Sequence, residues 1–138
     1  MKPELLDLKF IEAEGGGIVK VLDLNSSHYT GFGEFYLSKI SHGTFRGWKK
    51  HLEMTSLLFV VQGDAEFHFF EEDHACYTLI LKNVADSQLA LKILPGQSYG
   101  FRSMGTDGAT IANFANTPHR AGEAVRPMLD SHECGWTA

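Results

Sequence analysis

Several things are scarce in this chain, and each absence removes a class. Cysteine occurs only twice in 138 residues, at Cys76 and Cys134. Two distant cysteines imply free thiols in a reducing cytoplasm, not a disulfide framework. No stretch approaches the roughly 18 consecutive apolar residues of a membrane span. The opening MKPELLDLKF mixes acidic with apolar residues and has no small-residue cleavage site, so it does not read as a signal peptide. Lysine and arginine number 12 against 17 acidic residues, for a net charge of −5. A nucleic-acid partner normally leaves a basic footprint, so none is expected. A small anionic ligand stays compatible, because a pocket needs only a few convergent cations. There is no Gly-x-Ser-x-Gly elbow, and neither cysteine sits in a reactive motif. The glycine run at 15–17 lacks the spacing and strand–helix context of a phosphate or dinucleotide loop.

What is present is aromatic, β-branched and glycine-punctuated. With 43% hydrophobic residues the chain reads as one soluble domain, 1–138, with an irregular tail over 128–138. Long helical periodicity is hard to find. Short alternating segments recur instead at 17–24, 33–40, 44–51, 56–62, 65–71, 76–81, 88–94, 97–102 and 109–115, which predicts an all-β sandwich or barrel. Turn signals fall at 15–17, 25–27, 63–64, 72–73, 95–96 and 106–108, and 84–87 reads as a loop. Gly63 and Asp64 predict a hairpin between LLFVVQ and AEFHFF. In the second arm Ala65, Phe67 and Phe69 share one face and Glu66, His68 and Phe70 the other.

The segment GTFRGWKKHLEMTSLLFVVQG, 43–63, carries the chemistry. It has the glycine frame of a cupin metal motif, in which His-x-His and a glutamate stand between two glycines. Here Lys49 takes the first histidine position, His51 the second, and Thr55 or Ser56 the place of the glutamate. The second motif, ILPGQSYGF at 93–101, puts Tyr99 where a histidine is usual, and Asn113 stands as its late asparagine. With the other ligands gone, a tightly held metal is not expected, and no cofactor is implied.

Strand alternation puts Lys49 and His51 on one face and Arg46, Trp48 and Lys50 on the other. Lysine beside histidine in a barrel mouth depresses both pKa values and favours a neutral imidazole, a general base beside a cation for a developing oxyanion. On spacing alone, a Lys49 reaching to solvent and a His51 that merely lines the barrel fit as well. Tyr99 likewise reads either as a proton donor or as a buried structural residue.

Two segments, 32–70 and 91–126, resemble the dTDP-4-dehydrorhamnose 3,5-epimerase superfamily of cupins and its nucleotide-sugar 3,4-ketoisomerase relatives. The first holds Arg46-Gly47-Trp48-Lys49 in place of Arg-Gly-x-His, followed by Val-Val-x-Gly. The second holds Pro95-Gly96 ahead of Tyr99-Gly100-Phe101 and an Asn-x-x-x-x-Pro-His-x-x-x-Glu stretch from Asn113 through His119 to Glu123. The resemblance implies a single-domain double-stranded β-helix (jelly-roll) barrel and a homodimer that exchanges N-terminal strands. It also implies a metal-independent epimerase or ketoisomerase acting on a nucleotide-linked 4-keto-6-deoxy sugar in cell-surface polysaccharide biosynthesis.

In that reading His51 moves the proton, and Lys49 or Tyr99 assists at the oxygen. Arg46, Lys50 and Arg102 are candidates for the diphosphate, Trp48 or Phe101 for ring stacking, and Asn113 and His119 for further substrate contacts. Arg46 lines the same pocket as His51 only if the strand bulges at Gly47. Because Lys49 replaces the epimerase's catalytic histidine, a sugar-nucleotide-binding cupin without catalysis is the alternative, and a metal dioxygenase-type cupin a third.

Overall fold

The computed structural model describes residues 3–71 and 76–127. The expected irregular tail at 128–138, the turn at 72–73 and Cys134 lie outside the described residues. In chain order the strands are β1 (Glu4–Asp7), β2 (Lys9–Ala13), β3 (Gly16–Lys20), β4 (Glu34–Ile40), β5 (Phe45–His51) and β6 (Ser56–Gln62). They continue as β7 (Asp64–Phe70), β8 (Cys76–Leu81), β9 (Leu89–Ile93), β10 (Ser98–Met104), β11 (Ala109–Ala115) and β12 (Ala124–Val125), with one helical turn, α1 (Val84–Ser87), before β9.

Ten of these strands form two five-stranded antiparallel sheets, ordered β1-β9-β6-β11-β4 and β12-β5-β10-β7-β8, while β2 and β3 pair as a separate ribbon. The inward side chains of both sheets meet in one core, where Phe67, Phe69, Leu58, Leu91, Ile93 and Ile111 are fully covered. Each such side chain contributes about 1.5–3 kcal/mol relative to exposure, which is why period-two patterning decides the faces. Ala65, Phe67 and Phe69 do share the core face of β7. A smaller cluster of Leu8, Leu57 and Ala90, with Leu6, Val19, Leu22 and Phe114 against it, covers the back of the first sheet.

Three expectations change. Gly63 and Asp64 do not make a hairpin, because β6 and β7 belong to different sheets. Gly63 turns the chain across the core instead. Its φ is +75°, and a Cβ there would meet the Gly108 carbonyl oxygen at 2.4 Å, so only glycine fits the corner. Residues 84–87 are a helical turn, closed by the Asn83 side chain accepting from the Asp86 N–H and by Gln88 in the left-handed region. Cys76 is disulfide-bonded and not a free thiol, which removes the thiol argument for a reducing compartment. Among the described residues no helix is long and apolar enough to cross a membrane.

Candidate functional site

β5 and β10 lie side by side with Tyr99 opposite Lys49 and Phe101 opposite Arg46. One residue, Gly100, therefore faces two, Gly47 and Trp48, and the register shifts there. This is the bulge that Arg46 required. It depends on glycine, since Gly47 has φ +155° and a Cβ on it would lie 2.6 Å from the Gly100 Cα. The bulge turns Arg46 to the same side as Lys49. Arg46 and Lys49 line a cavity of about 180 Å³ with Tyr36, Ser38, Tyr99, Phe101, Asn113 and Arg126. A neighbouring cavity of about 240 Å³ is lined by Glu34, Tyr36, Lys49, His51, Met54 and His119. Tyr36 and Lys49 border both, so the two spaces share a wall.

His51 is the buried centre of the second cavity. Its Nδ1 lies 2.6 Å from Glu123 Oε1, and the two side chains are only 3% and 2% exposed. Glu123 Oε2 accepts the backbone N–H groups of Glu53 at 3.0 Å and Met54 at 2.9 Å. The short strand β12 pairs Ala124 with His51, and the Leu52 N–H donates to the Glu123 carbonyl oxygen at 2.8 Å, so the backbone presents this carboxylate. The His51 Nε2 atom is buried and has no hydrogen-bond partner among the described residues. A carboxylate on Nδ1 fixes the proton there and leaves the Nε2 lone pair available.

The electrostatics agree with that role. Burial, chiefly, holds the His51 imidazole below its usual value; Lys49 adds to this, and the Glu123 hydrogen bond works against it. For Glu123, burial alone would push the carboxyl up, but the hydrogen bonds from His51 and the Met54 N–H outweigh it, and the net shift is downward. Lys49 is lowered, first by burial and then by Arg126, against the pull of Glu123 and Glu34. Burial raises Tyr99 well above the ordinary phenol range, and it also raises Tyr36, with Glu34 and Glu123 adding. Both phenols therefore keep their protons and can donate.

Six expected site residues come together: Arg46, Lys49, His51, Tyr99, Asn113 and His119. The Asn113 amide is oriented by donating to the Ile111 carbonyl at 3.0 Å and the Ser38 hydroxyl at 3.1 Å. His119 is exposed and its backbone N–H donates to Glu34 Oε2 at 2.8 Å. Three expected substrate contacts are not in either cavity. Trp48 is buried edge-on against Phe45 and Phe70, with centroids 5.6 and 6.4 Å away. Lys50 sits on the other face of β5, in register with Ser98. Arg102 is turned outward, where it donates to both Glu66 carboxylate oxygens at 3.2 Å. The sequence reading missed Tyr36, Ser38, Glu123 and Arg126. Only Glu123 had a signal, as the last residue of the Asn-to-Glu stretch.

The donor set does not suit the transition metal of a metal-binding cupin. His51 offers one free nitrogen, and the next residue on its face of β5 is Lys49 in place of a second histidine. No group of three or more His, Cys, Asp or Glu that could hold a metal ion is found among the described residues.

No family model and no curated protein matches this sequence. Solved structures do. The chain is similar to a dTDP sugar isomerase from Desulfovibrio desulfuricans G20, with 30% identity and a TM-score of 0.83 over 98% of this chain and 89% of that one. A mutant 3,4-ketoisomerase from Thermoanaerobacterium thermosaccharolyticum, in complex with TDP-4-keto-6-deoxyglucose, shares 15% identity and a TM-score of 0.78, over 96% of this chain and 91% of that one. A 3'-monoepimerase from Streptomyces bikiniensis, in complex with dTDP-quinovose, shares 13% identity and a TM-score of 0.81, over 97% of this chain and 74% of that one. The last two show the same fold.

Proposed function

Because the chain belongs to the dTDP-sugar isomerase family, with its cupin-type fold, we propose that it moves a proton beside the ketone of a nucleotide-linked 4-keto-6-deoxy sugar. The observation that carries this is His51: a buried imidazole, tethered at Nδ1 by Glu123 and bare at Nε2, on the wall of a cavity. Its lowered pKa keeps it neutral and basic near pH 7.

Nε2 takes the proton from the carbon next to the ketone. The C–H electron pair becomes the C=C bond, and the ketone oxygen becomes an enolate oxygen. Tyr99 and Lys49, which border the adjoining space, are the groups for that oxygen. Returning the proton to the opposite face of the same carbon inverts it. Delivering a proton to the former carbonyl carbon, with loss of the neighbouring hydroxyl proton, shifts the ketone instead. Arg46 and Arg126 supply the permanent charge for a diphosphate, and Phe101 an apolar wall.

The working unit in this reading is a homodimer. β4 is an open edge of the first sheet, and Phe35 and Leu37 on it are 50% and 56% exposed. The competing reading, binding without turnover, draws on Lys49 in place of the epimerase histidine.

Deuterium uptake from heavy water separates the two. dTDP-4-keto-6-deoxyglucose incubated with the protein should exchange its ring proton next to the ketone faster than the protein-free control, and His51→Asn should abolish the gain. Binding by calorimetry with no exchange would support the non-catalytic reading. No binding of any dTDP-linked sugar would defeat both.

A further inference from the structure

Lys49 borders both cavities of the site, yet among the described residues its side chain makes no hydrogen bond or ion pair. Two residues along the same face of β5 is His51, and directly across the β5–β10 register is Tyr99. Arg46 and Arg126 already place permanent positive charge on the first cavity, so attracting an anion does not require a third cation. A lysine there also suffers the field of Arg126. Burial and Arg126 lower its pKa against the pull of Glu123 and Glu34, which favours the amine form, and that form is the nucleophile. The amine thus lies between a proton acceptor and a proton donor, in a space sized for a small polar molecule.

We propose that Lys49 is a covalent catalyst, its Nζ condensing with the ketone carbon of the bound sugar to form an imine. The inference rests on the keto-sugar reading above and deepens it. Nζ adds to the carbonyl carbon, the carbonyl oxygen takes a proton from Tyr99, and the carbinolamine expels that oxygen as water. The iminium nitrogen is a stronger electron sink than a ketone, so the neighbouring C–H becomes more acidic. His51 Nε2 removes that proton, and the electron pair moves through the new C=C bond onto nitrogen, giving an enamine. His51 returns its proton to the same carbon and restores the iminium; one water then hydrolyses it to ketone and neutral Lys49, and the proton released goes back to Tyr99. One water leaves and one returns, and nothing is oxidised or reduced.

The imine also selects between the two outcomes of proton transfer. Protonating the carbon that carries nitrogen would leave a secondary amine, which water cannot cleave. A Lys49 imine therefore permits exchange or inversion at the carbon beside the ketone and forbids migration of the ketone. The chain is an epimerase in this scheme.

The test uses the whole protein with dTDP-4-keto-6-deoxyglucose. Borohydride added to the mixture should fix a sugar-nucleotide adduct on the peptide containing Lys49. In ¹⁸O-water the protein should speed label entry into the ketone. Lys49→Arg keeps a cation but cannot form an imine, and it should lose both the adduct and roughly a hundredfold or more of the proton exchange. Calorimetry with dTDP and a melting curve establish that this variant is folded and binds. Proton exchange in the native protein with no adduct on Lys49 sinks the imine alone, as does a Lys49→Arg variant within threefold of native exchange. Adducts spread over other lysines with Lys49 unmodified have the same meaning. No proton exchange in the native protein removes the isomerase reading and the imine together.

Discussion

Replacing Glu123 with glutamine tests the His51 arrangement most directly, because the carboxylate serves two sides at once. Oε1 meets His51 Nδ1, and Oε2 accepts two backbone N–H groups, those of Glu53 and Met54. A carboxamide has one acceptor oxygen and must choose. With the oxygen toward the backbone, both N–H bonds survive and the NH₂ group faces Nδ1. The imidazole then carries its hydrogen on Nε2, where no base remains. With the oxygen toward Nδ1, the base is intact but two buried N–H groups face another donor.

Leaving each of those donors unsatisfied costs about 1–3 kcal/mol, so the active arrangement lies about 2–6 kcal/mol higher. At 1.36 kcal/mol per factor of ten, this predicts a loss of about 30-fold to 25,000-fold in proton exchange. The assay is deuterium uptake by dTDP-4-keto-6-deoxyglucose followed by NMR. Affinity for dTDP should hold, since Glu123 borders neither cavity.

The pH profile gives a second readout. His51 is held low mainly by burial, while the hydrogen bond and charge of Glu123 oppose this. The acid limb set by His51 in the native protein should lie below the usual histidine range. Removing the Glu123 carboxylate removes the charge and hydrogen bond that raise the pKa, so the acid limb of Glu123→Gln should move further down. Stability follows the same sign: below about pH 6.5 the unfolded chain takes up the proton first, and folding weakens as acid is added. A Glu123→Gln variant exchanging within threefold of native, with an unmoved acid limb, would refute the tautomer argument.

Arg46→Met should raise the KM for the sugar nucleotide about tenfold or more, whereas Arg102→Met, on the outward face, should leave it within about twofold; steady-state kinetics compare them. Gly47→Ala forces a Cβ against the Gly100 backbone and should cost about 1–3 kcal/mol by urea denaturation, with activity lost alongside because Arg46 shifts. Leu37→Lys on the open edge of β4 should convert a dimer to monomer in sedimentation; an unchanged sedimentation coefficient would remove the proposed interface.

How far the sequence could be read depends on the distance over which each feature is determined. The strands at 56–62, 76–81 and 109–115 match to the residue, because alternation is local and a one-residue slip would exchange core for solvent. β1 and β2 left no such trace. Most of their residues are exposed, and their pairing is supplied by β9 and β3. The Gly63 corner shows the limit of turn chemistry: a left-handed glycine marks a reversal, but which strand lies beside the next is set by the whole sheet.

In the site, the same alternation that places Lys49 with His51 already puts Trp48 and Lys50 behind them. Arg102 likewise falls behind Tyr99 and Phe101, so their exclusion was implicit in the period. Arg46 is the exception, since a glycine bulge inverts the parity between positions 46 and 49. Glu123 ends the Asn-to-Glu stretch, but nothing local pairs it with His51, 72 residues away. It reaches the imidazole only because β12 pairs with the end of β5. That pairing turns a lone histidine, for which general base and barrel lining fit equally well on spacing alone, into one with a fixed tautomer. The chemistry is therefore a property of the barrel's closure and not of the motif that announces it.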